Sequence, residues 1–469
     1  MVNAITSDGV GTLQSRRAKK VTRHGAIAAG FIACAMVFGG GGSPNPATEV
    51  ILQCAFALAA LAWVWTTRSY DADVPKALLI GGATLLLLPA LQILPLPPLM
   101  WQSLPSRELA LDTLTLVGQQ DSWRALSIAP YSTLAGVLAL VPAVALMCAV
   151  STLGGADRTL IVGAIAGVAV VGAVLGAAQL ASGPEALRLY ERSHRGWLTA
   201  FHANRNAAAD VLVIGSLAAS AWYARIDLTR SKIEQAGWIF AAVQCVLLAA
   251  LVLTGSRAGI VIGVLSVTVH LAIWRPNLVD LNKGALAGGV SVIVTSLLAL
   301  PLLLSDNNRI ARVMQRFDAR DDARIPLWQD AWDAMVAYWP TGSGIGTFTN
   351  AFQPFESLSN LDGAFVNRAH NDYMEFIMEG GVFALALLVI GAIWLLLVAR
   401  KAWHASPQDR ALQLFAHGTL AVIALHSIVD YPLRNMAIAC LAGTAAGMLS
   451  RTPSQRPALS RRDGRDNAK

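Results

Sequence analysis

Charge is scarce in this sequence: Asp, Glu, Lys and Arg together make up 14% of its 469 residues, against about 25% in an average soluble domain. A soluble globule of this length would need more charge to cover its surface, and a mean hydropathy of +0.52 points the same way. Cysteine is also sparse. The five that occur (Cys34, Cys54, Cys148, Cys245 and Cys440) all fall inside apolar runs with no CxxC pair. That excludes a disulfide framework, a zinc ribbon and a thioredoxin-type redox motif, and leaves five small buried apolar residues. The N-terminal stretch is long and polar, and no small-residue cleavage site follows the first apolar run. No cleavable signal peptide is therefore expected.

What is present is a series of apolar runs near the length of about 20 residues that crosses a bilayer. Spans are expected at 26–42, 48–66, 77–96, 132–150, 159–181, 208–224, 237–254, 258–274, 285–304, 380–398, 411–429 and 435–450. The reading is an all-α polytopic membrane protein of about twelve transmembrane helices. Its expected parts are a basic N-terminal tail (1–25), one membrane domain (26–450) and a basic C-terminal tail (451–469).

The net charge of +7 does not imply nucleic acid, because membrane proteins gather Lys and Arg in cytoplasmic loops. With the N-terminus inside, 22 of the 36 basic residues fall on the inner side, mostly in short loops. An even number of spans then leaves both basic termini in the cytoplasm. Lysine is missing from the outer side altogether: all seven lysines fall inside, and the 14 outer basic residues are all Arg. A genome that favours Arg codons produces such a bias. So does an external site for an anionic, phosphorylated ligand, since guanidinium grips phosphate bidentately.

The spans lack the acidic residues or proton relays of an ion-coupled transporter. Asp210 and Glu49 lie at span ends, and His270, His417 and His426 are the main ionisable groups deeper in. Any chemistry belongs to the outer loops, at about 97–132, 182–206 and 305–379. The last, roughly seventy residues long, exceeds an ordinary connection and is expected to be functional.

Within that loop, Ile325 to Ala337 sets Leu327, Trp328, Ala331, Trp332 and Met335 at helical spacing, which predicts an interfacial amphipathic helix. Thr341 to Phe348 (TGSGIGTF) reads as a backbone turn. It is not a dinucleotide fingerprint, because its spacing is GxGxG and no strand precedes it. In Arg368-Ala369-His370-Asn371-Asp372-Tyr373, a histidine at a membrane surface is either a hydrogen-bonded helix cap or a general base near working pH. No HxH or HxxxH partner supports a metal. Between two spans, Thr254-Gly255-Ser256-Arg257-Ala258-Gly259 puts Arg257 in a tight outer turn, snorkelling to headgroups or holding an anion. Asp430 and Arg434, in the tight turn HSIVDYPLR, lie on the same face and could simply pair with each other.

These stretches resemble, in order and spacing, the signature segments of the O-antigen ligase and polymerase superfamily: TGSRAG after a long span, RIPLWQDAWDAM with PTGSGIGTF, and AHNDYMEFIMEGG. The earlier HRGWLTAFHANRNAAADVL is similar to that family's Arg-then-Asn-x-Asn-x-x-Ala segment. The resemblance implies a GT-C-like glycosyltransferase of the bacterial inner membrane, with short helices in its long periplasmic loop and an active site facing the periplasm. It implies a glycan donor on an undecaprenyl-pyrophosphate carrier and a lipid A-core or glycan acceptor. The carrier brings its own leaving group, so no cofactor and no metal are expected.

By position, the resemblance makes His370 the catalytic base and Arg257 and Arg195 the pyrophosphate ligands, with Arg192 and Arg205 competing for the second place because the Gly-x-Phe usual before the Asn pair is Thr199-Ala200-Phe201 here. Asn206, Asn371, Asp372 and Asp430 are the supporting residues. The expected reaction is inverting transfer, ligase-like, with a polymerase of O-antigen or exopolysaccharide repeat units as the alternative and transfer to protein a third. A lipid-linked glycan flippase would need a polar path through the spans and related halves, and neither is seen.

Overall fold

Asn204 shows how the helices of this chain begin. Its side chain accepts the Asn206 amide at 2.8 Å, capping the helix Arg205–Tyr223, one of the N-terminal N–H groups that a helix leaves unpaired. The computed structural model describes residues 20–41, 46–66, 73–226, 230–278, 324–359, 366–403 and 407–450.

The helices in chain order are α1 (Arg23–Phe38), α2 (Pro46–Thr66), α3 (Lys76–Gln92), α4 (Pro98–Gln102), α5 (Glu108–Leu116), α6 (Pro130–Thr152), α7 (Gly155–Ser182) and α8 (Arg205–Tyr223). They continue with α9 (Arg230–Leu253), α10 (Arg257–Leu278), α11 (Arg324–Ala337), α12 (Phe348–Phe352), α13 (Asp372–Trp403), α14 (Pro407–His426) and α15 (Met436–Met448). Two-residue strands at Pro95–Leu96 and Arg124–Ala125 pair antiparallel and close the base of the first outer loop.

Eleven of the twelve expected spans coincide with helices; the twelfth, 285–304, lies outside the described residues. Six of the described helices are long and apolar enough to cross a membrane. Three more, α1, α3 and α15, are apolar but shorter. At 1.5 Å per residue, the 16 residues of α1 cover roughly 24 Å, less than the hydrocarbon thickness of about 30 Å.

α8 is the axis of the bundle. It packs against α7, α9, α10 and α14, and every residue from Asn206 to Ala221 is buried. Surrounded by protein, it tolerates Ser216, Ser220 and Asp210 where a lipid-facing helix would not. The outer helices are built the opposite way. On α2, Leu58, Leu61 and Trp65 are exposed, as are Ile390 and Leu396 on α13, which is how helices that meet lipid present themselves. Cys54 and Cys245 sit on exposed faces of this kind, and only Cys440 is fully buried, so the expectation of five buried cysteines holds in part.

Arg158, one of the 22 basic residues expected on the inner side, is fully buried at the start of α7. It donates to the carbonyls of Leu153, Met448 and Ser450 at 3.0, 2.9 and 2.8 Å. It thereby ties the ends of α6 and α15, where carbonyls are unpaired and the helix dipole favours a cation.

The helix expected to begin near residue 380 begins at Asp372. It contains a break at Gly381, whose φ of 59° and ψ of −144° are not helical. The segment before the break carries Asp372, Glu375 and Glu379 on one face, at spacings of three and four. Gly381 is required there, since a Cβ would overlap the carbonyl oxygen of Pro340.

Candidate active site

His370 stands just before α13 with a φ of 51°, a conformation that costs a non-glycine residue of order 1 kcal/mol or more. Its neighbours hold it there. The Ala369 amide donates to Glu375 Oε2 at 3.1 Å, and the Ala369 carbonyl accepts the Trp328 indole N–H from α11 at 3.0 Å. The amphipathic helix expected at 325–337 therefore grips the histidine segment from one side while Trp332 and Val336 stay exposed on the other.

The ring Nδ1 of His370 lies 3.0 Å from Asp430 Oδ1. The histidine is 33% exposed and the aspartate 4%. Tyr431 meets the imidazole edge-on at 4.9 Å between centroids. An ionised carboxylate only accepts, so Nδ1 is the donor in this pair and Nε2 lies on the far side of the ring.

Asp430 is in turn fixed by α8. Asn206 Nδ2 donates to its Oδ2 at 2.7 Å and Asn204 Nδ2 reaches the same atom at 3.4 Å. Its backbone amide donates to the His426 carbonyl at 2.9 Å. Burial works to raise the Asp430 carboxyl, but the His370 hydrogen bond, the charges of His426 and His370 and the Asn206 amide outweigh it. The group is held below the ordinary carboxylate value.

Asp430 and Arg434, which could have paired within their own turn, do not. Arg434 turns toward α13, where its Nη2 meets Glu379 Oε2 at 2.7 Å and its Nε lies 3.3 Å from Glu375 Oε1 and 3.7 Å from Asp372 Oδ1. Burial lowers the guanidinium, yet these three carboxylates together raise it above its ordinary value. Arg368 adds a second cation on Glu375 Oε1 at 2.9 Å. The two residues are thus used separately: Asp430 serves the histidine, and Arg434 locks the turn to α13.

Asp372 completes the lock. It accepts the Ser427 hydroxyl at 3.1 Å and the Leu433 amide at 3.0 Å, while Asn371 caps α13 by accepting the Met374 amide at 3.0 Å. These two residues hold the helix and the turn; the carboxylate that reaches the His370 ring is that of Asp430. Glu375 and Glu379 drew no expectation from the sequence. Their only local signal is the i, i+3, i+7 spacing with Asp372.

The glycine-rich stretch is a backbone turn wrapped on this same lock. Ser343 and Gly344 donate to the Met378 and Glu379 carbonyls at 3.1 and 2.9 Å. Ile345 donates to Gln92 Oε1 at 2.8 Å, and Phe348 to Glu379 Oε1 at 3.0 Å. Gly342, with φ of 80°, passes so near the Glu379 carbonyl that a Cβ would overlap it. These amides are taken up by protein acceptors, which leaves the turn a structural part.

On the other side of α8, the turn before α10 brings Arg257 to a half-buried position. Gly255 there lies directly on the Trp197 ring, and Leu198 donates to the Leu253 carbonyl at 3.1 Å. Arg205 lies over the same indole, 5.0 Å from its centroid, within cation–π range. Arg195 is 56% exposed and paired with Glu185 at 2.7 Å, and Arg192 is exposed as well. His202, in the same loop, is fully buried, which lowers it to about 4 and keeps it neutral at neutral pH.

Arg205 and the turn that carries Arg257 thus meet on Trp197, and the asparagines on either side of Arg205 reach the aspartate that holds His370. Residues 241–389 match the family model described as O-antigen ligase. The match supports placing the chain in the O-antigen ligase and polymerase superfamily, and with it a ligase- or polymerase-type function in a membrane. The O-antigen ligase match takes in Arg257, His370, Asp372, Glu375 and Glu379. Asn204, Asn206, Asp430 and Arg434 lie outside it and are brought to it by the fold. Comparison with curated proteins finds no match.

Proposed function

We propose that this chain transfers a glycan from an undecaprenyl-pyrophosphate carrier to an acceptor sugar on the periplasmic face of the bacterial inner membrane, as a ligase. The observation that carries the reading is the His370–Asp430 pair, a histidine with Nδ1 committed to a buried carboxylate and its other nitrogen available.

In the reaction, His370 Nε2 takes the proton of the acceptor hydroxyl as that oxygen attacks the anomeric carbon from the face opposite the carrier. The bond from the anomeric carbon to the pyrophosphate oxygen breaks, its electron pair leaves on the pyrophosphate, and the configuration inverts. Asp430 holds the tautomer and stabilises the imidazolium that forms. Arg257 and one arginine of the second loop take the charge growing on the leaving group. Arg195 is the residue matched by sequence. Arg205 is better supported, because it shares Trp197 with the Arg257 turn, whereas Arg195 is held at the surface by Glu185. The carrier supplies the activated bond, so no metal or cofactor takes part.

The twelve-span count, cytoplasmic termini and periplasmic site belong to this reading, supported by the helices found on eleven expected spans and by the Arg-only outer loops. Purified protein in lipid discs, given a carrier-linked glycan and lipid A-core, should yield ligated product. His370→Ala and Arg257→Ala should each abolish it at unchanged protein level, and full activity in either variant refutes the assignment. The same geometry serves a polymerase, and a deletion strain separates the two. Long chains accumulating on the carrier identify a ligase; single repeat units accumulating identify a polymerase.

A further inference from the structure

Behind the dyad lies a second histidine–aspartate pair that the reaction above does not use. His426 Nδ1 and Asp210 Oδ1 are 2.5 Å apart, both side chains 1% exposed. Among the described residues their remaining polar atoms, His426 Nε2 and Asp210 Oδ2, have no hydrogen-bond partner, so each depends on the other. A buried carboxylate is costly unless a cation answers it.

The second pair joins the two elements that deliver the first. Asp210 sits one helical turn after Asn206 on α8, the same helix whose Asn206 amide binds Asp430. His426 ends α14, and its carbonyl accepts the Asp430 amide at 2.9 Å. The order through the protein is Asp210, His426, Asp430, His370, with carboxylate and imidazole alternating. The charged groups that face His426 are Asp210 from α8, Asp430 from the following turn and Arg324 from the start of α11. Those that face Asp430 are His426 and His370, with Asp210 behind.

We propose that Asp210 and His426 are positioning residues for the His370–Asp430 dyad: their buried contact ties α8 to the end of α14 and so holds Asn206 and the turn that carries Asp430 in register against His370. This rests on the transferase reading of His370. Neither residue of the inner pair touches substrate.

The test uses Asp210→Asn and His426→Gln in the full-length protein, with turnover normalised to the folded fraction eluting as a single species in detergent. Either substitution should lower kcat by about tenfold or more and leave KM for the carrier-linked donor unchanged. Without the tie Asp430 is held less firmly against His370 Nδ1, and a histidine that loses its carboxylate partner is the weaker base. The acid limb of the kcat–pH profile should therefore move down by about one pH unit. Wild-type kcat and an unmoved acid limb in the folded variants overturn the proposal, and so does activity that is lost only in proportion to folded protein in both. His370→Ala run alongside keeps the two claims apart. If it is active, the transferase reading falls. If it is inactive while Asp210→Asn behaves as wild type, only the positioning role falls.

Discussion

His370 and Asp430 are sixty residues apart in sequence, yet Nδ1 of one lies 3.0 Å from Oδ1 of the other. The loop before α13 supplies the histidine, and the turn between α14 and α15 supplies the carboxylate that holds its ring. Neither α13 nor the 427–435 turn is a site alone; the Arg434 and Asp372 contacts make them one.

The first prediction concerns that orientation. Asp430→Asn keeps the size of the side chain and removes the charge, and its amide can offer Nδ1 a donor where an acceptor is needed. Turnover should fall by about 10²- to 10⁴-fold with little change in donor KM, measured as kcat and KM on purified protein. A change in KM alone would assign Asp430 to binding.

A second concerns acid stability. The Asp430 carboxyl is held below its ordinary value in the folded protein, so ionised Asp430 favours folding. That contribution is complete above the unfolded value of about 3.9 and is lost as pH falls below it through the folded value. The melting temperature of the wild type should drop as pH falls below about 4. In Asp430→Asn this part of the drop should be absent, and equal pH dependence of the two melting curves would contradict it.

A third concerns the lock. Arg434→Met leaves Asp372, Glu375 and Glu379 facing one another with Arg368 still paired to Glu375. Breaking a buried ion pair by removing one partner costs roughly 3–5 kcal/mol. The variant should accumulate poorly or melt many degrees lower, whereas Arg195→Ala, at an exposed pair, should change stability by less than about 1 kcal/mol. Thermal denaturation of the two in the same detergent makes the comparison.

A fourth separates the arginines. If Arg205 and Arg257 take the pyrophosphate, alanine at either position should raise donor KM, lower kcat or both, by about tenfold or more in kcat/KM. Arg195→Ala should leave both constants near wild type. Loss of activity in Arg195→Ala with retention in Arg205→Ala would restore the assignment that sequence position favours.

Much of the frame was readable from hydropathy, because a helix in lipid must be apolar along its whole length and leaves a period-free run of about 20 residues. His370 and Arg257 stood out in the sequence because each stands in a short segment with a recognisable neighbourhood. The partnerships did not. Asp430 and Arg434 sit four residues apart in one turn and invite pairing, but the fold offers each a better counterpart on an element far away in sequence. Asn206 meets Asp430 across 224 residues, and nothing local in Asn-x-Asn marks which of its amides will turn to a carboxylate. Glu375 and Glu379 carry no local mark of their partners; the break at Gly381 puts them on a separate helical segment that the Arg434 turn covers.

The most direct measurement is single-turnover transfer by purified His370→Ala in lipid discs, with carrier-linked donor and acceptor saturating and the folded state verified. The account predicts no product over a time in which the wild type converts all bound donor. Product formed at the wild-type rate would remove His370 from the chemistry and the site built around it.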